Sequence, residues 1–123
     1  MKSLFAAPST LVKLLAPLAA VALLGLSGAT MAADVDADAA MALAKKNDCL
    51  KCHAIDKTKK GPSYKKVAAK YKGKTAEGEE KILKNITTGP KVKLEDGTEE
   101  EHKIIDSKDP KAIKNLIDWI LSQ

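Results

Sequence analysis

The chain holds two cysteines and two histidines, and three of those four side chains fall in one five-residue run, Cys49-Leu50-Lys51-Cys52-His53. This C-x-x-C-H spacing attaches a c-type haem. Two thiols three positions apart can each add to one vinyl group of a haem, and the adjacent imidazole then projects toward the iron as a nitrogen ligand. Two cysteines form at most one bridge, so the chain is no disulfide-dense scaffold. Other uses of the run are weaker. A thioredoxin-like dithiol needs strands around it, and the chain shows no βαβ pattern. A zinc site could draw on Cys49, Cys52, His53 and His102, but His53 stands too close to Cys52 to be the usual third ligand. A structural disulfide needs no histidine.

Residues 1–32 read as a removable leader. Lys2 and Lys13 precede an unbroken apolar run from Leu14 to Leu26, and small residues follow around Ser27 to Ala33. That is the layout of a secretory signal peptide. The apolar run is well short of the ~20 residues that span a bilayer as a helix. Cleavage after Ala32 places Thr30 at the −3 position, which favours small residues; cleavage after Ala33 would place Met31 there. No cysteine stands nearby to take a lipid. The expectation is an exported, soluble domain over residues 33–123, without a membrane span.

Those 91 residues include 34 apolar ones, of which 11 are alanine, and three aromatics, Tyr64, Tyr71 and Trp119. A chain this small is marginal without a staple or a cofactor, and a covalently held haem would supply the missing core. The segment carries 19 lysines against 16 acidic residues and no arginine. Such a balance is too weak to argue for nucleic acid, and without arginine there is no bidentate reader of phosphate or guanine.

Helical spacing predicts four helices. The first covers about 37–47, with Ala40, Leu43 and Ala44 on one face and Asp36 or Asp38 as cap. A second runs from about Ser63 to Lys72 and ends at Gly73. A third runs from about Ala76 to Thr87, capped by Thr75 and stopped by Gly89-Pro90. The last starts at Asp109-Pro110 and lines up Ile113, Leu116, Ile117 and Ile120. Residues 90–109 stay open between two readings. Asp96-Gly97 is a turn signal that would pair a Lys91–Leu94 arm with a Glu99–His102 arm. Alternatively, Thr98 and Glu101 form a capping box and start one helical turn.

Taken together, the first helix, CLKCH, the Gly61-Pro62 pair, PSYKKVAAKY and the terminal IKNLIDWILSQ make the chain from 33 onward resemble a small bacterial monohaem class I cytochrome c. The resemblance implies an all-α cytochrome c fold of about four helices, with the first and last crossing beside one covalently bound haem c. It assigns Cys49 and Cys52 to the thioether bonds and His53 to the proximal axial position. The Pro62 carbonyl would accept a hydrogen bond from the free nitrogen of His53, and Trp119 would pack near the helix crossing.

The pattern breaks at the sixth ligand. Family members usually supply a methionine from the loop before the last helix. Here the methionines are Met1, Met31 and Met41, and none follows the haem motif. Met41 falls on a core helix, where methionine usually fills gaps. The loop instead contains the second of the two histidines, so the expectation is His102 as distal ligand and a bis-histidine iron. Met ligation raises the potential, so histidine in its place implies a more reducing carrier. Lys91, Lys93 or Lys103 as ligand, or an open or water-bound position, are the alternatives.

Lys57, Lys59, Lys60, Lys65 and Lys66 cluster after the motif. In the family, lysines around the haem edge steer docking to acidic redox partners; as a bare charge run they are equally a solvated face. The functional expectation is a monomeric periplasmic one-electron carrier, not an enzyme, since no catalytic pair stands out. A ligand-binding or sensory haem protein, or a haem subunit dedicated to one oxidoreductase, are the competing readings.

Overall fold

The computed structural model describes residues 34–123, and the expected leader over 1–32 lies outside them. Among the described residues no helix is long and apolar enough to cross a membrane. Five helices and one two-stranded sheet follow in the order α1 Ala37–Lys46, α2 Cys49–Cys52, α3 Tyr64–Lys70, α4 Thr75–Thr88, β1 Lys91–Lys93, β2 Glu99–Glu101 and α5 Pro110–Leu121.

The two terminal helices set the frame. Asp36 caps α1, its side chain accepting from the Ala39 N–H, and Asp109 caps α5 through the Lys111 N–H, with Pro110 in the first turn. Each cap satisfies an amide that would otherwise have no partner at a helix start. α1 and α5 make the most extensive helix pairing, and α5 also packs on α3 and α4. Ala40 and Ala44, one turn apart on α1, are fully buried among Leu116, Ile117 and Ile120. Their small side chains let the helices approach closely. Asn115 pins the crossing, accepting from the Asp36 N–H at 2.8 Å and donating to the Asp36 carbonyl at 2.8 Å. Met41 packs against this core as a half-buried filler.

The hairpin resolves the open segment. Lys91 lies opposite Glu101, Val92 opposite Glu100 and Lys93 opposite Glu99. Opposite charges therefore face each other across the two strands, which favours this register. Thr98 does not cap a helix; its N–H donates to Asp96 Oδ1 and closes the turn. One cap differs from expectation. Thr75 is inside α4, and Lys74 occupies the cap position with no side-chain bond to the helix.

Candidate haem site

The site begins where α1 ends. Asn47 terminates α1, and Asp48 then takes the left-handed conformation at φ 58°, which reverses the chain into the single turn Cys49–Cys52. His53 leaves that turn extended, its N–H donating to the Cys49 carbonyl at 2.9 Å. Cys49 and Cys52 are unpaired and half-buried. Burial pushes the Cys49 thiol up from its ordinary value.

The loop 54–63 folds back beneath His53. The Gly61 N–H donates to the Cys52 carbonyl at 2.8 Å, and the Tyr64 N–H to Ala54 at 2.9 Å. The Pro62 carbonyl then lies 2.7 Å from His53 Nδ1. A carbonyl only accepts, so His53 Nδ1 carries the proton and Nε2 is left as the lone pair. Burial lowers the His53 pKa, against the opposing pull of the Pro62 bond, and so favours the neutral ring that ligates a metal. Gly61 is required by close approach: a Cβ there would sit 2.7 Å from His53 Cε1.

His102 lies across from this arrangement. It follows β2, and its N–H donates to the Pro90 carbonyl at 2.9 Å. Its Nδ1 pairs with the Lys103 carbonyl at 2.9 Å, so its Nε2 is also free. The two imidazole centroids are 6.2 Å apart, with planes at 40°. At a metal–nitrogen bond length of about 2.0–2.1 Å, a separation of this size would leave room for one metal ion between the two rings. Gly89 helps bring His102 here. It ends α4 in the left-handed conformation, φ 61°, and a Cβ on it would stand 2.9 Å from the His102 carbonyl.

Between them lies a cavity of about 900 Å³ lined by Cys49, Cys52, His53 and His102, with Ile82 and Leu116 among its apolar walls. That is within the range of ligand and cofactor pockets. Asn85, also on its wall, has a buried Oδ1 with no partner among the described residues. Its amide can present either end inward, as a polar edge of a bound group requires. No cluster of three or more His, Cys, Asp or Glu side chains among the described residues is placed to hold a bare metal ion. The donor set instead fits a haem, whose ring supplies the other iron ligands.

Of the five lysines singled out from sequence, Lys66 lines the cavity. Lys66 pairs with Glu95 at 3.4 Å and Lys60 with Glu100 at 3.7 Å, while Lys59 Nζ donates to the Leu50 carbonyl. The hairpin acids thus neutralise part of that cluster. Lys51, Lys70, Lys81, Lys93 and Lys103 also line the cavity. Tyr64 is the site residue that sequence reasoning placed only as a helix face. It stacks on the His53 ring, and its one sequence cue is its position two residues after Pro62.

Comparison with known proteins places the chain in a family. The family model for cytochrome c matches residues 37–123. Cytochrome c-552 of Nitrosomonas europaea is 35% identical over 100 residues, covering 73% of this chain and 80% of that protein. Cytochrome c-551 of Allochromatium vinosum is 39% identical over 49 residues, 40% of this chain. In that match the chain spans about half of the relative, 52% of its length. Among solved structures, the class 1 cytochrome MtoD of Sideroxydans lithotrophicus ES-1 is 60% identical, with a TM-score of 0.67, covering 72% of this chain and 97% of that one. Wild-type Nitrosomonas europaea cytochrome c552 superposes with a TM-score of 0.51 at 29% identity, over 67% of this chain and 96% of that one.

Proposed function

The chain belongs to the cytochrome c family, whose members bind covalently attached haem c, and from that premise we propose that it is a soluble, monomeric, periplasmic electron carrier with its haem iron between His53 and His102. Haem supplies a one-electron ferric/ferrous couple; the protein's part is to hold and tune it. In this reading Cys49 and Cys52 would hold the haem covalently, and the free Nε2 atoms of His53 and His102 would bind its iron. The Pro62 and Lys103 carbonyls each fix a ring tautomer and its orientation. Two such ligands, each oriented by a carbonyl, would keep the site the same in both oxidation states, which suits a carrier and not an enzyme.

The observation that carries this reading is the pair of imidazoles lining one cavity, centroids 6.2 Å apart and planes at 40°, each with Nδ1 bonded to a carbonyl and Nε2 free. Lysines at the cavity rim give acidic redox partners a surface to approach. The leader over residues 1–32 directs export, and cleavage near Ala32 releases the domain. Histidine in place of a methionine sulfur makes the carrier more reducing than methionine-ligated relatives.

The test is the absorption and electron paramagnetic resonance spectrum of the His102→Ala holoprotein. We expect loss of the low-spin ferric signature and rapid binding of carbon monoxide by the reduced form. An unchanged low-spin spectrum removes His102 from the iron. Strong carbon monoxide binding by the unmutated protein would favour a ligand-binding role instead.

A further inference from the structure

We propose that Asn47 and Asp48 are positioning residues for His102: they tie the segment carrying it to the start of the Cys49–Cys52 turn, and so set how readily the sixth position opens to an outside ligand. This rests on the reading of His102 as the distal ligand.

Asn47 is buried, 2% exposed, and makes two bonds of opposite direction. Its Nδ2 donates to the Leu43 carbonyl at 3.0 Å, within α1. Its Oδ1 accepts from the Asp106 backbone N–H at 2.6 Å, 59 residues away in sequence. Asp48 is the one non-glycine residue with positive φ among the described residues. Its Oδ1 pairs with Lys51 at 3.1 Å, and its Oδ2 accepts from Lys103 Nζ at 3.1 Å. Lys103 is also the residue whose carbonyl orients the His102 ring. Its side chain thus anchors to Asp48 while its main chain holds the imidazole.

Lys46 Nζ pairs with Asp106 Oδ2 at 3.9 Å on the same side, as an exposed and long contact, and the remaining ties of the segment 102–106 run elsewhere. The His102 N–H goes to Pro90, and the Ile105 N–H to Ile86 at the end of α4. Ile105 is itself buried in the core. The segment is therefore held to α4 on one side and to the end of α1 and the haem-motif turn on the other, chiefly by Asn47 and Asp48 at 2.6 and 3.1 Å. A left-handed aspartate is a costly conformation that persists where the surroundings impose it. Here it directs one carboxylate oxygen to each of Lys51 and Lys103. For His102 to leave the iron, the segment must move, and these two ties resist that movement.

The experiment uses ferric holoprotein and cyanide as the probe. At saturating cyanide the observed rate reports His102 departure. It is measured for the unmutated protein, Asp48→Asn, Lys103→Met, the double variant and Asn47→Ala, at low and high salt. Asparagine also tolerates the left-handed conformation, so Asp48→Asn removes charge without forcing the backbone. Asp48→Asn and Lys103→Met should each speed opening about two- to fivefold, the scale of an exposed ion pair. The double variant should be no faster than either single one, because both remove the same tie. High salt should bring the unmutated rate up to theirs. Asn47→Ala should give about tenfold or more, since it strips the Asp106 N–H of its partner. If Asn47→Ala does not fold, the Asp48–Lys103 cycle decides alone. Opening rates equal to the unmutated protein, or additive effects in the double variant, overturn the proposal. Failure of the underlying ligation reads out separately, as an unchanged low-spin spectrum in His102→Ala.

Discussion

The ring of Tyr64 lies stacked on that of His53, centroids 5.3 Å apart and planes at 18°. Trp119 meets Tyr64 edge-on at 5.4 Å and 73°. The histidine assigned to the iron is thus braced from α5 through two aromatic rings. Pro62 fixes its hydrogen bond, Gly61 leaves room for its edge, and Tyr64 covers its face. Aromatic pairs in these geometries contribute about 0.5–1.5 kcal/mol beyond the area they bury.

Tyr64→Ala should therefore remove both a core side chain and the brace. Urea unfolding of the holoprotein should show a loss of about 3–5 kcal/mol, the range for deleting a buried aromatic. Tyr64→Phe keeps the stack and should cost less than about 1.5 kcal/mol near neutral pH. Equal losses from the two variants would show that the ring itself contributes nothing.

The same residue gives the protein an alkaline sensitivity. Burial, the largest cause, pushes the Tyr64 hydroxyl up from its ordinary value. In the unfolded chain it ionises at about pH 10, whereas the folded chain keeps it protonated to higher pH. Its contribution to stability is therefore complete below about pH 10 and is lost as pH rises from there toward the folded value. The slope reaches about 1.4 kcal/mol per pH unit for one proton. Stability curves between pH 9 and 11.5 should fall less steeply for Tyr64→Phe than for the unmutated protein. Parallel curves would assign the alkaline loss to other groups.

Gly61→Ala should disturb the iron more than the fold. The added Cβ would meet His53 Cε1 at 2.7 Å and Nδ1 at 3.1 Å, so the ring must move. Overpacking of this kind costs about 1–3 kcal/mol. The ring's escape lengthens its bond to Pro62 and changes how strongly it donates to the metal. A shifted reduction potential and a visible change in the ferric spectrum are expected alongside a modest drop in melting temperature. A lower melting temperature with potential and spectrum unchanged would mean that the ring has room to spare.

Which of these features could be read from the sequence follows from the range of the interactions behind them. α1 and α5 were legible because their caps, Asp36 and Asp109, and their apolar spacing are local. The segment 90–109 was not, because Asp96-Gly97 favours a hairpin while Thr98 and Glu101 favour a helix start. The Lys91–Glu101 and Lys93–Glu99 pairings distinguish them only once the strands meet. The Tyr64–His53 stack depends on the loop 54–63 doubling back through Tyr64 N–H to Ala54, which no periodicity reports. The partial neutralisation of the lysine cluster depends on Glu95 and Glu100, which lie about thirty to forty positions away.

The haem itself should be the principal part of the core. Leu116 is the one large side chain among the described residues with less than 2% exposure. It and Ile82, Ile86 and Ile120 all line the cavity of about 900 Å³. Without haem those apolar walls would face water, at roughly 25 cal/mol per Å² of apolar surface left unburied. The stability of a small domain is only about 5–15 kcal/mol. Cys49→Ala/Cys52→Ala, which cannot retain haem covalently, should therefore be largely unfolded once haem is removed. Far-ultraviolet circular dichroism should show weak helix content, and urea titration should give no cooperative transition. A sharp two-state transition in that haem-free double variant would show that α1, α3, α4 and α5 close a core without the cofactor.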